Sequence, residues 1–232
     1  MLRLRTSLLF PLIVGLTCPP STAAEPNAIA ARRVAERSSA AFAKAANDVS
    51  TGSSALQDAR QSFAPLMHAE VVARMVLPRA AFKESTTQQR REVAEYISHI
   101  WAKTMLGFYR NASPNGKPRA VVAPATLNMW QEKDSSLASR KLEVLCWLAK
   151  VDPPCHSVLV EVQFAAGESN DIPLSYTYEL VPAQANNLYQ ITDIVVPEAD
   201  ISLRDNILQQ IPREASINEV LTLMARWVAE RK

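Results

Sequence analysis

Along this chain the spacing of apolar side chains changes period about midway. From Ser85 to Arg110, Val93, Tyr96, Ile97, Ile100, Trp101, Thr104, Met105 and Phe108 recur every three or four residues. Arg90, Arg91, Glu92, Glu95 and Lys103 fall mostly on the other faces, which predicts one long amphipathic helix. Ser85, Thr86 and Thr87 supply N-cap side chains, and Gln88 and Gln89 stand three residues after Ser85 and Thr86, as a capping box requires. Before it, Ala28 to Val49 reads as an alanine-rich helix whose few large side chains, Val34 and Phe42, suggest an outer position. Ala55 to Phe63 and Ala69 to Leu77 read as shorter helices, the latter stopped by Pro78.

After Pro114-Asn115-Gly116 the period becomes two. Arg119 to Ala125, Leu127 to Lys133, Arg140 to Ala149, Ser157 to Ala165, Leu174 to Val181 and Leu188 to Val196 read as strands. Val158, Val160, Val162 and Phe164 alternate with Leu159, Glu161 and Gln163, and Leu142, Val144, Cys146 and Leu148 alternate in the same way with their neighbours. Short turns between the runs predict an antiparallel meander. Ile201 to Ile211 and Ser216 to Glu230 return to helical spacing. Helices, then strands, then helices is an α+β order. The architecture it predicts is a curved antiparallel sheet wrapped by N-terminal and C-terminal helices, with the broad stripe of the long helix either packed as ordinary core or lining an enclosed apolar cavity.

The leader changes the compartment. Arg3 and Arg5 precede the apolar run Leu8 to Leu16, and Thr22-Ala23-Ala24 offers small residues for cleavage. Residues 1–24 are thus expected to be a cleaved signal peptide, leaving 25–232 as one exported domain. Gly15-Leu16-Thr17 before Cys18 makes a poor lipobox. Removing the leader takes two arginines, so the 23 remaining basic residues balance 23 acidic ones. That balance offers no electrostatic footprint for nucleic acid. Five glycines in 232 residues argue against phosphate-cradling loops, and no internal repeat is seen.

Cys146 and Cys155 are the two cysteines of the mature chain, flanking the turn Asp152-Pro153-Pro154. They read either as a disulfide across the base of a hairpin or as two buried thiols. His68, His99 and His156 lack metal-ligand spacing, so neither a metal nor another cofactor is expected. No nucleophile elbow, Walker loop or dinucleotide fingerprint occurs. Asp193, inside an apolar strand, is either a general base with a raised pKa or a structural hydrogen-bonding group.

Two stretches carry a family resemblance. Met67-His-Ala-Glu-Val-Val-Ala-Arg-Met-Val-Leu-Pro-Arg79 leads to Gln88-Gln-Arg-Arg-Glu-Val-Ala-Glu-Tyr96, and Tyr189-Gln-Ile-Thr-Asp-Ile-Val-Val196 leads to Ser202-Leu-Arg-Asp-Asn206. Together with Ile217, Val220, Leu221 and Met224 in the last helix, these resemble the MlaC/toluene-tolerance family of periplasmic phospholipid carriers. Pro78 stands where the family usually has Gly. The resemblance implies a non-catalytic shuttle for phospholipid or a similar two-chain lipid. Its partners would be an inner-membrane ABC-type transporter complex and an outer-membrane lipoprotein complex. The residues expected to line the lipid cavity are Met75, Tyr96, Ile97, Ile100, Met105 and Phe108 on the helices, with Trp147, Val160, Val162 and Tyr178 on facing strands. Two rivals stay open. One is an exported enzyme with a cone-shaped fold, using Asp193 and Tyr176 or Tyr178; the other is an envelope adaptor with a solid core.

Overall fold

The computed structural model describes residues 24–48, 52–112, 120–129, 137–150, 156–164, 175–183, 188–197 and 201–230. Five helices come first: α1 (Ala24–Asn47), α2 (Gly52–Phe63), α3 (Ala69–Val76), α4 (Arg79–Glu84) and α5 (Thr87–Asn111). Strands β1 (Ala120–Val122) and β2 (Thr126–Met129) follow, then α6 (Leu137–Leu148). Strands β3 (His156–Phe164), β4 (Ser175–Pro182), β5 (Tyr189–Val196) and β6 (Ile201–Ser202) lead into α7 (Leu203–Gln210) and α8 (Ile217–Glu230). The α+β class expected from the spacing is the one observed.

The capping box forms as the sequence suggests. Thr86 Oγ1 accepts from the Gln89 backbone at 3.2 Å, and Gln89 Oε1 accepts from the Thr86 backbone at 2.9 Å. The buried face of α5 is wider than its bulky stripe, taking in Ala94, Ser98, Ala102, Leu106 and Tyr109. The reason is its position, since α5 packs against α1, α2, α3 and α8 at once. The broad apolar face is therefore consumed mainly by other helices.

The sheet is antiparallel throughout, in the order β1-β3-β4-β5-β6, with β2 pairing the same edge of β3 further along. Register places Val162 opposite Tyr176, Val160 opposite Tyr178 and Val158 opposite Leu180. These six side chains share one face of the sheet, all of them fully buried. An irregularity between Glu179 and Leu180 shifts the register toward β5. A parallel bridge from Met67 to Ile191 ties the helical half to β5.

Two expectations are corrected. Helix α1 does not run along the outside: it contacts β1, β2, β3 and β5 as well as α2 and α5. Ala31, Ala35, Ser38 and Phe42 on it are fully buried. Small side chains, which had suggested a peripheral helix, are what let its backbone approach the sheet closely.

The run Arg140 to Ala149 is also no strand, because α6 covers nearly all of it. Leu142, Leu145, Cys146 and Ala149 are buried while Glu143, Val144 and Trp147 are exposed. That is spacing of three, four and seven, with one helical face turned inward. The alternation of Leu142, Val144, Cys146 and Leu148 coincided with it because the segment is apolar at nearly every position. Strong helix formers then decide the outcome. The other sheet face meets α6 and α7, and there Val71, Leu145, Ala149 and Val181 form a second, smaller core. Among the described residues no helix is long and apolar enough to cross a membrane.

Candidate functional site

Three places concentrate polar chemistry within this apolar frame. The first lies where α1, α5 and β4 meet. Consecutive serines on α1 reach different tyrosines: Ser38 Oγ lies 2.7 Å from Tyr178 Oη, and Ser39 Oγ lies 2.5 Å from Tyr109 Oη. Tyr109 Oη is 2.7 Å from Tyr176 Oη, which in turn is 3.3 Å from Tyr178 Oη. Five hydroxyls thus form one open chain inside the protein, running Ser38–Tyr178–Tyr176–Tyr109–Ser39. Each hydroxyl can both donate and accept, so neighbours along the chain partner one another. Aromatic packing surrounds it: Tyr109 meets Phe164 edge-on at 4.8 Å, and Phe108 meets Phe164 at 5.3 Å. Burial pushes the Tyr176 and Tyr178 phenols far above their usual range and raises Tyr109 as well. Burial thus favours the neutral form of all three phenols.

The second place is on the other side of the sheet, under α7. Arg204 is sealed in the interior, with Nη2 3.3 Å from Asp193 Oδ2, Nη1 3.6 Å from Glu179 Oε2 and Nε 3.1 Å from Asp205 Oδ1. Burial works to lower its pKa, but Asp193, Glu179 and Asp205 more than offset this and raise it. Asp193 also accepts hydrogen bonds from the Ile194 and Arg204 backbones at 2.8 and 3.1 Å and from Ser202 Oγ at 2.6 Å. Ser202 caps α7 through the Asp205 backbone. Asp193 is fully buried, and these bonds to Ile194, Ser202 and Arg204 are those of a structural hydrogen-bonding group.

The third place is a cleft of about 490 Å³ lined by Val34, Arg37, Leu66, His68, Leu148, Lys150, Leu188 and Tyr189, among others. His68 caps α3, its Nδ1 accepting from the Val71 backbone at 3.4 Å, and burial holds its pKa below the ordinary value. Near the wall, His156 Nε2 and Tyr189 Oη are 2.5 Å apart, and burial raises the Tyr189 phenol to about 12. Among the described residues, no His, Cys, Asp or Glu cluster could hold a metal ion.

The residues expected to line a lipid cavity do not all meet. Ile97, Ile100, Met105, Val160, Val162 and Tyr178 are buried together in the main core, with Tyr96 and Phe108 half-buried against it. Met75 belongs to the smaller core with Leu145 and Val181. Trp147 is 70% exposed on α6 and faces no strand. Between α5 and the sheet there is no open space at Val160, Val162, Tyr176 or Tyr178, which have no accessible surface. Helix α1 and the tyrosines fill what the strand and helix pattern alone would leave empty.

Cys146 is disulfide-bonded, from a helix rather than a hairpin strand. Cys155 lies outside the described residues. Ser38, Ser39, Tyr109 and Arg204 went unnoticed in the sequence. The only signals were a serine pair within an alanine-rich helix and the alternation of Tyr176 with Tyr178 on a strand.

No family model matches the chain, and no curated protein does either. Among solved structures, it is similar to a phospholipid-binding protein from Ralstonia solanacearum, determined in complex with a phospholipid. The TM-score is 0.56 at 12% identity, and the match spans 88% of this chain and 98% of that one. At such identity the likeness is one of fold. The chain thus has the fold of a phospholipid-binding protein, helices wrapped around an open antiparallel sheet.

Proposed function

We propose that this protein is a periplasmic lipid carrier of the MlaC/toluene-tolerance type, exported by its leader. It would hold a phospholipid or similar two-chain lipid and pass it between an inner-membrane ABC-type transporter complex and an outer-membrane lipoprotein complex. The observation that carries this reading is the fold, shared across nearly the whole length of a protein that was solved with phospholipid bound. Physics supplies the rest. Burying an acyl chain is worth roughly 0.8 kcal/mol per methylene, so two chains amount to tens of kcal/mol against water. Transfer between a membrane and an apolar protein interior cancels most of that, and neither step requires a catalytic group.

A carrier with the closed interior described above takes its cargo by parting one layer from another. One such seam runs along α1, which lies against β1, β2, β3 and β5 and buries the small side chains Ala31, Ala35 and Ser38. Parting it breaks hydroxyl hydrogen bonds that water or a lipid headgroup replaces in kind. Lipid extraction of the protein purified from the periplasm, read by mass spectrometry, should find two-chain lipid in stoichiometric amounts. Delipidated protein should take up a fluorescent phospholipid. A second reading has the filled interior in its favour: an envelope adaptor that carries no ligand. Protein free of lipid and unable to acquire any would establish the adaptor and end the carrier reading.

A further inference from the structure

We propose that the face around the cleft between α1, α3 and the end of α6 is a docking surface for anionic phospholipid membranes. On the outward side of α6, Trp147 is 70% and Val144 46% exposed, three positions apart and so on one helical face. Trp147 is the most exposed large apolar side chain among the described residues. Leu148, Ala149 and Lys150, which follow it directly, line the cleft, and so does Leu188, itself 56% exposed. An indole pairs an apolar body with a polar N–H, the combination favoured where hydrocarbon meets headgroups.

Charge at the same mouth fits this occupant. Arg37 and Lys150 both line the cleft. Glu70 lines it too and is ion-paired with Arg90 at 3.3 Å, while Arg37 is exposed at the mouth. Glu143 is the one acidic residue of α6 and is exposed beside Val144. Apolar anchors beside cations around a concave opening match a bilayer surface, with Trp147 and Leu188 entering the headgroup layer and the cations over phosphates. Docking and lipid carriage are separate properties, and the experiment reads them separately.

Flotation of the purified protein with vesicles of phosphatidylethanolamine and phosphatidylglycerol, against vesicles of phosphatidylcholine alone, tests the surface. Wild-type protein should float with the anionic vesicles and bind less as salt is raised. Trp147→Ala should lower the partition coefficient roughly tenfold, and Arg37→Glu at least about fivefold. Both variants should melt like wild type, since each changes an exposed side chain, and both should retain wild-type lipid content on extraction. Wild-type protein that does not float, Trp147→Ala protein that floats as well as wild type, or equal binding to phosphatidylcholine overturns the proposal and marks the face as a contact for another protein. Flotation that depends on Trp147, in protein that carries no lipid, upholds the docking surface and counts against the carrier alone.

Discussion

The same sheet carries a buried polar cluster on each side, and the two are built from opposite materials. On the α1 side five hydroxyls share neutral hydrogen bonds in an open chain. On the α7 side a guanidinium is clamped by three carboxylates. A neutral hydroxyl gives up little when it exchanges a protein partner for water, because its net hydrogen bond is worth about 1 kcal/mol. A buried charge stripped of its partner costs several times more. On the carrier reading proposed above, the hydroxyl side is the one that parts, while the charged side holds the fold together.

The sharpest way to break this contrast is at Arg204. Arg204→Ala leaves Asp193 and Glu179 facing each other without their shared cation, and urea denaturation should show a loss of about 3–5 kcal/mol. Stability close to wild type would mean the cluster locks nothing. Asp193→Asn keeps the shape and most hydrogen bonds, so its loss should be about 1–3 kcal/mol, with lipid uptake unchanged. Uptake abolished in a variant that melts normally would return Asp193 to candidacy as a reacting group. On the other face, Tyr178→Phe removes one link of the hydroxyl chain and should cost about 0.5–1.5 kcal/mol. Hydrogen exchange in α1 should quicken in this variant while α7 is unaffected. If both helices respond equally, the two sides do not open independently.

The smallest effect expected is one of pH. Burial lowers the pKa of His68, so the fold favours its neutral form. Its contribution is complete above the unfolded value of 6.5 and is lost as pH falls through the lower, folded one. Unfolding curves of the wild type should weaken over that window, and His68→Gln should flatten the dependence.

Much of this contrast was out of reach in the sequence. The long helix with its cap, the strands from Ser157 onward and the α+β order follow from local spacing, because capping and amphipathic period are properties of neighbouring residues. Arg140 to Ala149 defeated that logic, since a run apolar at almost every position satisfies periods of two and of 3.6 alike. The place of α1 was hidden for a different reason. Alanine says that a helix is easy to form, but not whether its small face meets water or a sheet. Nor does the sequence show that α1, from the far end of the chain, packs against both α5 and the strands. The hydroxyl chain needs Ser38, Tyr109 and Tyr178 together, and no spacing rule links them. Asp193 was noticed, but its cation stands eleven residues on, in another element.

The contact between Ser38 and Tyr178 spans 140 residues, and that length sets an order of events. Strands β3, β4 and β5 are joined in sequence and can zip as a local meander, whereas α1 gains its sheet contacts only after most of the chain has been made. The first helix to emerge is thus the last whose burial is completed. Its alanines, serines and interleaved charges, including the Arg32–Glu36 pair, let it wait in water as a soluble helix. A leucine-rich helix in its place would fill the seam better and aggregate before its partner strands existed.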